Sequence, residues 1–264
     1  MSEATNLAYG AIDDHYAGES AATRRQLVAG AAATLGGMGL LGLVSEADAA
    51  RVSAATDNSA ENILAVAATA EVLATIVNTV GPEKVTLDAT TKANVNAAAR
   101  HELLHYEYLV SAGAKELTKR IWVPNAVFAS AEGLLTTLVV GDQIFINAYL
   151  LATTVFARSG KTSKLSRITA EHMGVEAVHR ALALQSLGKL GNDRAFMKFS
   201  QPEAAGVPGA GTPGFKNIMT AVAQLKAAGF GFGEQGSAAG AFYEYDEVSP
   251  RTPDPAAVNV RQVD

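Results

Sequence analysis

Long apolar runs, and the capping residues, glycines and prolines around them, predict four long helices. The first run, DNSAENILAVAATAEVLATIVNTVGPEK, has Asp57 or Ser59 as its N-cap and Gly81 followed by Pro82 as its C-terminal stop. The predicted helices span 59–80, 90–118, 130–158 and 163–188. The chain is therefore predicted to have an all-α fold.

The segments outside these helices differ in character. IWVPNAVFAS contains Pro124 and β-forming residues, which predicts an extended crossover between the second and third helices. Roughly 12–14 extended residues span about 40 Å, enough to return along a bundle and make these two helices parallel. Residues 191–264 are predicted to form an extension with a short fifth helix near 214–227 and a disordered end from about 249.

The first and third predicted helices each carry one interior charge in an otherwise apolar run. Glu71 lies in ATAEVLATIV, and Asp142 lies in LVVGDQIFINAYLL. Burying a lone carboxylate costs several kcal/mol unless the group is paired or binds a cation. Both acids therefore need a partner inside the fold.

The second and fourth predicted helices each contain the motif ExxH. Glu102 and His105 form the first motif, Glu176 and His179 the second, and residues three apart project from one helix face. One acid from each of two helices and an ExxH from each of the other two is the ligand arrangement of di-iron and di-manganese carboxylate sites in helical bundles. The predicted metal ligands are Glu71, Glu102, His105, Asp142, Glu176 and His179. Four carboxylates and two imidazoles suit two divalent ions, iron or manganese.

Composition narrows the kind of site and the kind of partner. The 264 residues contain no cysteine, so any metal must take oxygen and imidazole ligands. The net charge of −5 argues against a nucleic-acid partner. Of the five histidines, His101 and His172 lie one turn from the predicted ligands, where they are either surface residues or supporting or alternative ligands.

The N-terminal 49 residues resemble a leader for export. Arg24 and Arg25 precede an apolar run that extends over 27–44, and the small-x-small triplet Ala47-Asp48-Ala49 follows it, as in a twin-arginine signal. An uncleaved membrane anchor is the alternative. The expected location is the periplasm, the cell envelope or the extracellular space, with no stable membrane span after cleavage.

Together these motifs resemble the ferritin-like domain proteins of the desiccation-related type. The resemblance rests on Glu71, on both ExxH motifs, on the proline-bearing crossover at Pro124, and on Asp142 followed seven residues later by Tyr149. It implies a ferritin-like four-helix bundle over 50–190, with a long crossover between the second and third helices and a short C-terminal fifth helix.

The function implied by the resemblance is metal-dependent. A dinuclear centre could oxidise iron or consume oxygen or peroxide, which would make the chain a di-iron oxidoreductase; the tyrosines Tyr106, Tyr108 and Tyr149 could pass electrons or be plain core residues. Two positions depart from the family: Ala74 replaces a second acid, and Asp142 replaces a glutamate. The alternatives are a non-catalytic structural or desiccation-protective protein with a degenerate or single-metal site, and an iron-storage cage. Assembly into a homo-oligomer is compatible with each.

Overall fold

The computed structural model of the chain describes residues 58–158, 163–193 and 216–258, together with positions 195 and 214. The predicted leader, 1–49, lies outside the described residues. The structure is mostly helical, with one small antiparallel sheet. Its long helices are α1 (Ala60–Lys84), α2 (Ala89–Ser111), α3 (Ala131–Arg158) and α4 (Ser163–Ser186).

Helix α1 begins at one of the two predicted N-caps but ends later than predicted. Ser59 caps its start, since the Ser59 hydroxyl accepts a hydrogen bond from the backbone N–H of Asn62. The predicted stop at Gly81 is wrong, because the helix continues through Pro82 to Lys84. A Cβ on Gly81 would lie 2.6 Å from a methyl group of Leu134, so this glycine allows α1 and α3 to approach closely.

Helix α2 is shorter than predicted. Asp88 caps its start by accepting hydrogen bonds from the N–H groups of Thr90 and Thr91. It ends at Ser111 rather than at 118, and Gly113 follows with φ 96°. The end is set by this glycine, since a positive φ is strained for any residue with a Cβ.

The crossover forms the centre of a three-stranded antiparallel sheet. Strand β1 (Arg120–Pro124) lies between β2 (Gly231–Phe232) and β3 (Gly240–Glu244), and Ile121 pairs with Phe232 on one side and Tyr243 on the other. The extended conformation is thus confirmed for residues 121–124 of the crossover and is wrong for residues 125–128. The pairing of β1 with strands of the C-terminal segment was not predicted. A 3-10 turn over Asn125–Phe128 leads from β1 into α3.

The C-terminal segment packs onto the long helices. Its helical elements are α5 (Met219–Ala227), α6 (Tyr245–Val248), a 3-10 turn (Ser249–Arg251) and α7 (Pro255–Val258). Helix α5 contacts α3, α6 contacts α1, and α7 contacts α2. The prediction of disorder from about 249 is wrong for residues 249–258, which are folded, and 259–264 lie outside the described residues.

The four long helices surround a common interior. Helix α1 packs against α2 and α3, and α4 packs against α3 and α2. By length and composition α1 and α3 could each cross a membrane, but 89% and 72% of their apolar windows are buried inside the protein. Burial in a core accounts for the same composition.

Candidate metal centre

All six predicted ligands lie in this interior. Their exposed fractions are 0% for Glu71, Glu102 and Glu176, 4% for Asp142, 6% for His105 and 8% for His179. Four carboxyl groups so far from water are stable only if protons, cationic groups or a bound metal compensate their charge.

Two of the carboxylates lie between the two imidazoles. The Nδ1 atom of His105 is 3.3 Å from Glu102 Oε2 and 3.2 Å from Glu176 Oε1. The Nδ1 atom of His179 is 3.0 Å from Glu102 Oε1 and 3.5 Å from Glu176 Oε2. Each of these glutamates therefore presents one oxygen to each histidine.

These close approaches are not hydrogen bonds. Both oxygens of Glu102, both oxygens of Glu176 and the Nδ1 atoms of His105 and His179 are buried without a hydrogen-bond partner. Buried polar atoms in folded proteins are nearly always paired, so such a cluster requires an explanation. Nitrogen and oxygen atoms that converge to about 3 Å outside hydrogen-bond geometry fit a cation held between them.

Glu71 completes the group around His105. Its Oε1 atom is 3.6 Å from His105 Nδ1 and accepts a short hydrogen bond from the hydroxyl of Tyr149, while its Oε2 atom has no hydrogen-bond partner. Ligand atoms of Glu71, Glu102, His105 and Glu176 all lie within 4.8 Å of one another. This cluster can hold a metal ion.

Asp142 stands apart from that cluster. It is buried and interacts electrostatically with Glu176, His179 and Arg180, but among the described residues it joins no group of converging ligand atoms. Its Oδ2 atom has no hydrogen-bond partner. The structure therefore places Asp142 beside His179 without bringing it to the distance that Glu71 reaches.

The two flanking histidines occupy different places. His101 is exposed, and its Nδ1 atom lies 2.9 Å from Nε2 of His179. When His179 carries its proton on Nε2 it donates to His101, which leaves the Nδ1 lone pair of His179 directed at the carboxylates. His101 is thus a supporting residue rather than a free surface histidine.

His172 is buried within the site. Its ring stacks on that of His105 with 3.9 Å between centroids, and it meets Tyr149 edge-on at 5.2 Å. A second group of converging ligand atoms consists of Glu71, His105 and His172. A surface position for His172 is therefore wrong, and both supporting and ligand roles fit its location.

The charges of the cluster shift its pKa values in opposite directions. Burial raises the pKa of Glu71 to about 8, and burial followed by repulsion from Glu176 raises the pKa of Asp142 well above its ordinary value. Although burial opposes it, the positive charge of His179 holds the pKa of Glu102 below its usual range. The negative charge of Glu71 likewise outweighs burial and raises the pKa of His105. Without a cation, protons shared among these groups compensate the buried charge.

One basic residue near the site was not identified from the sequence. Arg180 is 3% exposed, donates from Nη1 to the backbone oxygen of Asp193 at 2.9 Å, and places positive charge near Asp142. Its position directly after His179 in α4 is the only signal for it, and that signal is weak because most arginines next to a buried residue face solvent.

The three tyrosines lie at different distances from the cluster. Tyr149 contacts Glu71, and Tyr108 meets His172 edge-on at 5.9 Å. Tyr106 instead packs against Tyr245 of the C-terminal segment, at 4.7 Å between centroids. Tyr149 is therefore the tyrosine placed to influence the cluster directly.

Comparisons of the chain with protein-family models, with curated proteins and with solved structures found no match.

Proposed function

We propose that this chain is a ferritin-like four-helix bundle that binds a dinuclear iron or manganese centre. Glu71 and His105 would hold one ion, Asp142 and His179 the other, and Glu102 and Glu176 would bridge the pair. The four helices and their pairwise packing support this reading, since a ligand set of this kind comes from four facing helices.

One observation carries the proposal. Glu102 and Glu176 each present one oxygen to each imidazole at 3.0–3.5 Å, and none of these atoms has a hydrogen-bond partner. A carboxylate that bridges two neighbouring ions commonly gives one oxygen to each, and this arrangement matches that mode. A purely structural ion pair would instead align donors and acceptors into hydrogen bonds.

The chemistry of such a centre is oxidative: bound iron with an open coordination position supports ferrous-ion oxidation or the consumption of oxygen or peroxide. The chain's own contribution is to hold the ligands in an apolar surrounding and to fix their orientation. The hydroxyl of Tyr149 donates to Glu71 and orients it. His101 lies 2.9 Å from Nε2 of His179, and donation from Nε2 to His101 would leave Nδ1 of His179 to bind the metal.

A non-catalytic protein with a single metal ion is the second candidate. It is favoured by the position of Asp142, which lies outside the cluster formed by Glu71, Glu102, His105 and Glu176. Those four residues alone could hold one ion for stability, in keeping with a structural or desiccation-protective role. The family that the chain resembles has an acid at the position of Ala74, and the absence of that acid here also favours a single ion.

Metal titration separates the two candidates. Protein freed of metal with a chelator is titrated anaerobically with Fe(II) and, separately, with Mn(II). The bound metal is measured by mass spectrometry, and unfolding is followed by circular dichroism. Two bound ions per chain would support the dinuclear centre. Free metal at about a hundred times its Kd should then raise the melting temperature by roughly 5–10 °C. One ion per chain would support the second candidate. No bound metal and an unchanged melting temperature would overturn both.

The proposed location follows from the N-terminal motif. We propose that Arg24 and Arg25 direct export by the twin-arginine route, which carries folded proteins and so lets a metal bind before transport. The test is the double substitution Arg24→Lys and Arg25→Lys in the full chain. The protein should then remain inside the cell, whereas export at the normal level would contradict the assignment.

A further inference from the structure

A cavity of about 440 Å³ lies between α1, α3, α5 and the crossover. Its rim includes the exposed residues Ala126, Ser130 and Glu132, and its inner end includes the buried residues Leu73 and Asp142. The cavity therefore leads from the surface to the candidate metal centre. Its volume lies within the range of small-molecule sites, about 300–1,000 Å³.

The inner end of the cavity reaches the candidate metal centre beside Asp142, where the neighbouring side chains leave free space. Asp142 lines the inner end, its Oδ2 atom has no hydrogen-bond partner, and the neighbouring Gly141 leaves open space where a side chain would stand. Across the cavity, α1 contributes the small side chain of Ala74. Small residues at both points leave room for a ligand beside Asp142.

The residues that line the cavity indicate which kind of ligand it can bind. Most lining side chains are apolar, and among the described lining residues the only ionisable side chains are the two acids Glu132 and Asp142. An anionic ligand would therefore lose its hydration without meeting a basic side chain in this lining. Asn78 also lines the cavity, and its Oδ1 atom is a buried acceptor without a partner, while its Nδ2 atom donates to Ala74 O.

We propose that this cavity binds a neutral, largely apolar organic molecule with a hydrogen-bond donor, and that it places this donor beside Asp142 and Asn78. Most of the ligand's surface packs against apolar side chains such as Leu73 and Phe145. The role of this molecule as a substrate rests on the proposed metal centre, whereas its binding does not.

The probe for the test is N-phenyl-1-naphthylamine, a neutral molecule in which one N–H joins a phenyl ring to a naphthalene and which fluoresces in apolar surroundings. Its 8-sulfonate, 1-anilinonaphthalene-8-sulfonate, is the matched anion with the same rings. We expect saturable binding of the neutral probe to the full, metal-free chain and about tenfold or more weaker binding of the sulfonate, because the cavity lining contains no basic side chain. Equal affinity for the two, or no saturable binding of the neutral probe, would overturn the proposal.

Two glycine substitutions locate the bound probe. Gly141 and Gly174 both lie inside long helices and both have open space at the Cβ position, but only Gly141 lines the cavity. Gly141→Leu should weaken probe binding about tenfold or more by filling the cavity. Gly174→Leu should change it by less than about twofold, and both substitutions should raise the melting temperature because leucine favours helix over glycine. Equal effects of the two on probe affinity would contradict the assignment.

A spectroscopic readout separates the cavity from the metal centre. In protein loaded with Co(II), binding of the probe should change the visible absorption of the ion, because the ligand lies beside Asp142. Probe binding that leaves this spectrum unchanged would overturn the placement. If Co(II), Fe(II) and Mn(II) all fail to bind while the probe still binds and Gly141→Leu weakens it, the cavity assignment stands and the proposed function fails.

Discussion

The helix pairs α1–α2 and α3–α4 carry the same order of acid, glutamate and histidine, but they present these groups differently. In the first pair Glu71 approaches His105 at 3.6 Å and accepts a hydrogen bond from Tyr149. In the second pair Asp142, one methylene shorter, stays outside the cluster of ligand atoms and lines a cavity. His179 of this pair is supported instead from outside, by the exposed His101.

In the proposed centre, this difference would give one repeated motif two unlike coordination positions. The position around Glu71 and His105 is closed by neighbouring side chains, as is usual where a metal stabilises a fold. The position around Asp142 and His179 adjoins free space, as is usual where a metal meets a substrate. The predictions below test whether this asymmetry controls metal binding.

The largest effect is expected from removing the two carboxylates that both halves share. The double substitution Glu102→Ala and Glu176→Ala should abolish binding of both ions, since each ion would lose two ligands. Metal content is measured by mass spectrometry and helicity by circular dichroism, and helicity should be retained because the apolar core is intact. The matched control is Glu107→Ala with Glu171→Ala, two exposed glutamates on the same helices, which should keep full metal content. Full metal content in the first variant would refute the ligand assignment.

Isosteric substitutions distinguish the two halves. We expect the ion near Glu71 and His105 to be the tighter one, because its candidate ligand atoms converge. Glu71→Gln should weaken binding of this ion roughly 100-fold, about 3 kcal/mol, because it removes a buried charge while preserving shape. Asp142→Asn should leave that ion bound and weaken only the second. Calorimetric titration of each variant with Mn(II) gives both affinities. The asymmetry would be disproved if the two substitutions weakened the same ion equally.

Removing either supporting histidine should weaken metal binding less than these substitutions do, and each removal should act on a different ion. His101→Ala should weaken the ion near His179 about tenfold, because the ring loses the partner that fixes its tautomer. His172→Ala should act on the ion near His105, on whose ring it stacks. The same titration reports both, and an effect of His101→Ala on the tighter ion alone would argue against its role.

The smallest expected effect is the change in stability of the metal-free protein with pH. Burial raises the pKa of Glu71 from its ordinary 4.5 to about 8, so between these values the unfolded chain loses a proton that the folded chain keeps. The contribution of Glu71 to stability should therefore be full below pH 4.5 and should decrease as pH rises towards 8. The melting temperature in chelator should fall by several degrees from pH 5 to pH 8, and Glu71→Gln should reduce this slope. A rising melting temperature would contradict the pKa shift, whereas saturating metal should reverse the trend because the cation replaces the protons.

The sequence sufficed to predict what depends on neighbouring residues. The long helices follow from local runs and caps such as Ser59, and the burial of Glu71 and Asp142 follows from their apolar surroundings. The wrong predictions concern features that depend on residues far away in the sequence. Gly81 was interpreted as a helix stop because its contact with Leu134 of α3 cannot be seen locally. The burial of His172 likewise depends on which helix faces it.

The sheet and the cavity also depend on distant parts of the chain. Strand β1 was predicted as extended, but its partners β2 and β3 lie at the other end of the described chain, and no local signal fixes that pairing. The cavity arises where α5 and the crossover meet α1 and α3, so it is a property of packing rather than of any one segment.

The central position of β1 has a consequence for biosynthesis. Ile121 is fully buried between strands that a ribosome makes after all four long helices, with Tyr243 as one of its partners. A nascent chain that has emerged only as far as α4 already contains all six candidate ligands, yet it lacks both strands that flank the crossover. Maturation should therefore be post-translational, and truncation after α4 should leave a chain that aggregates through an uncovered strand edge.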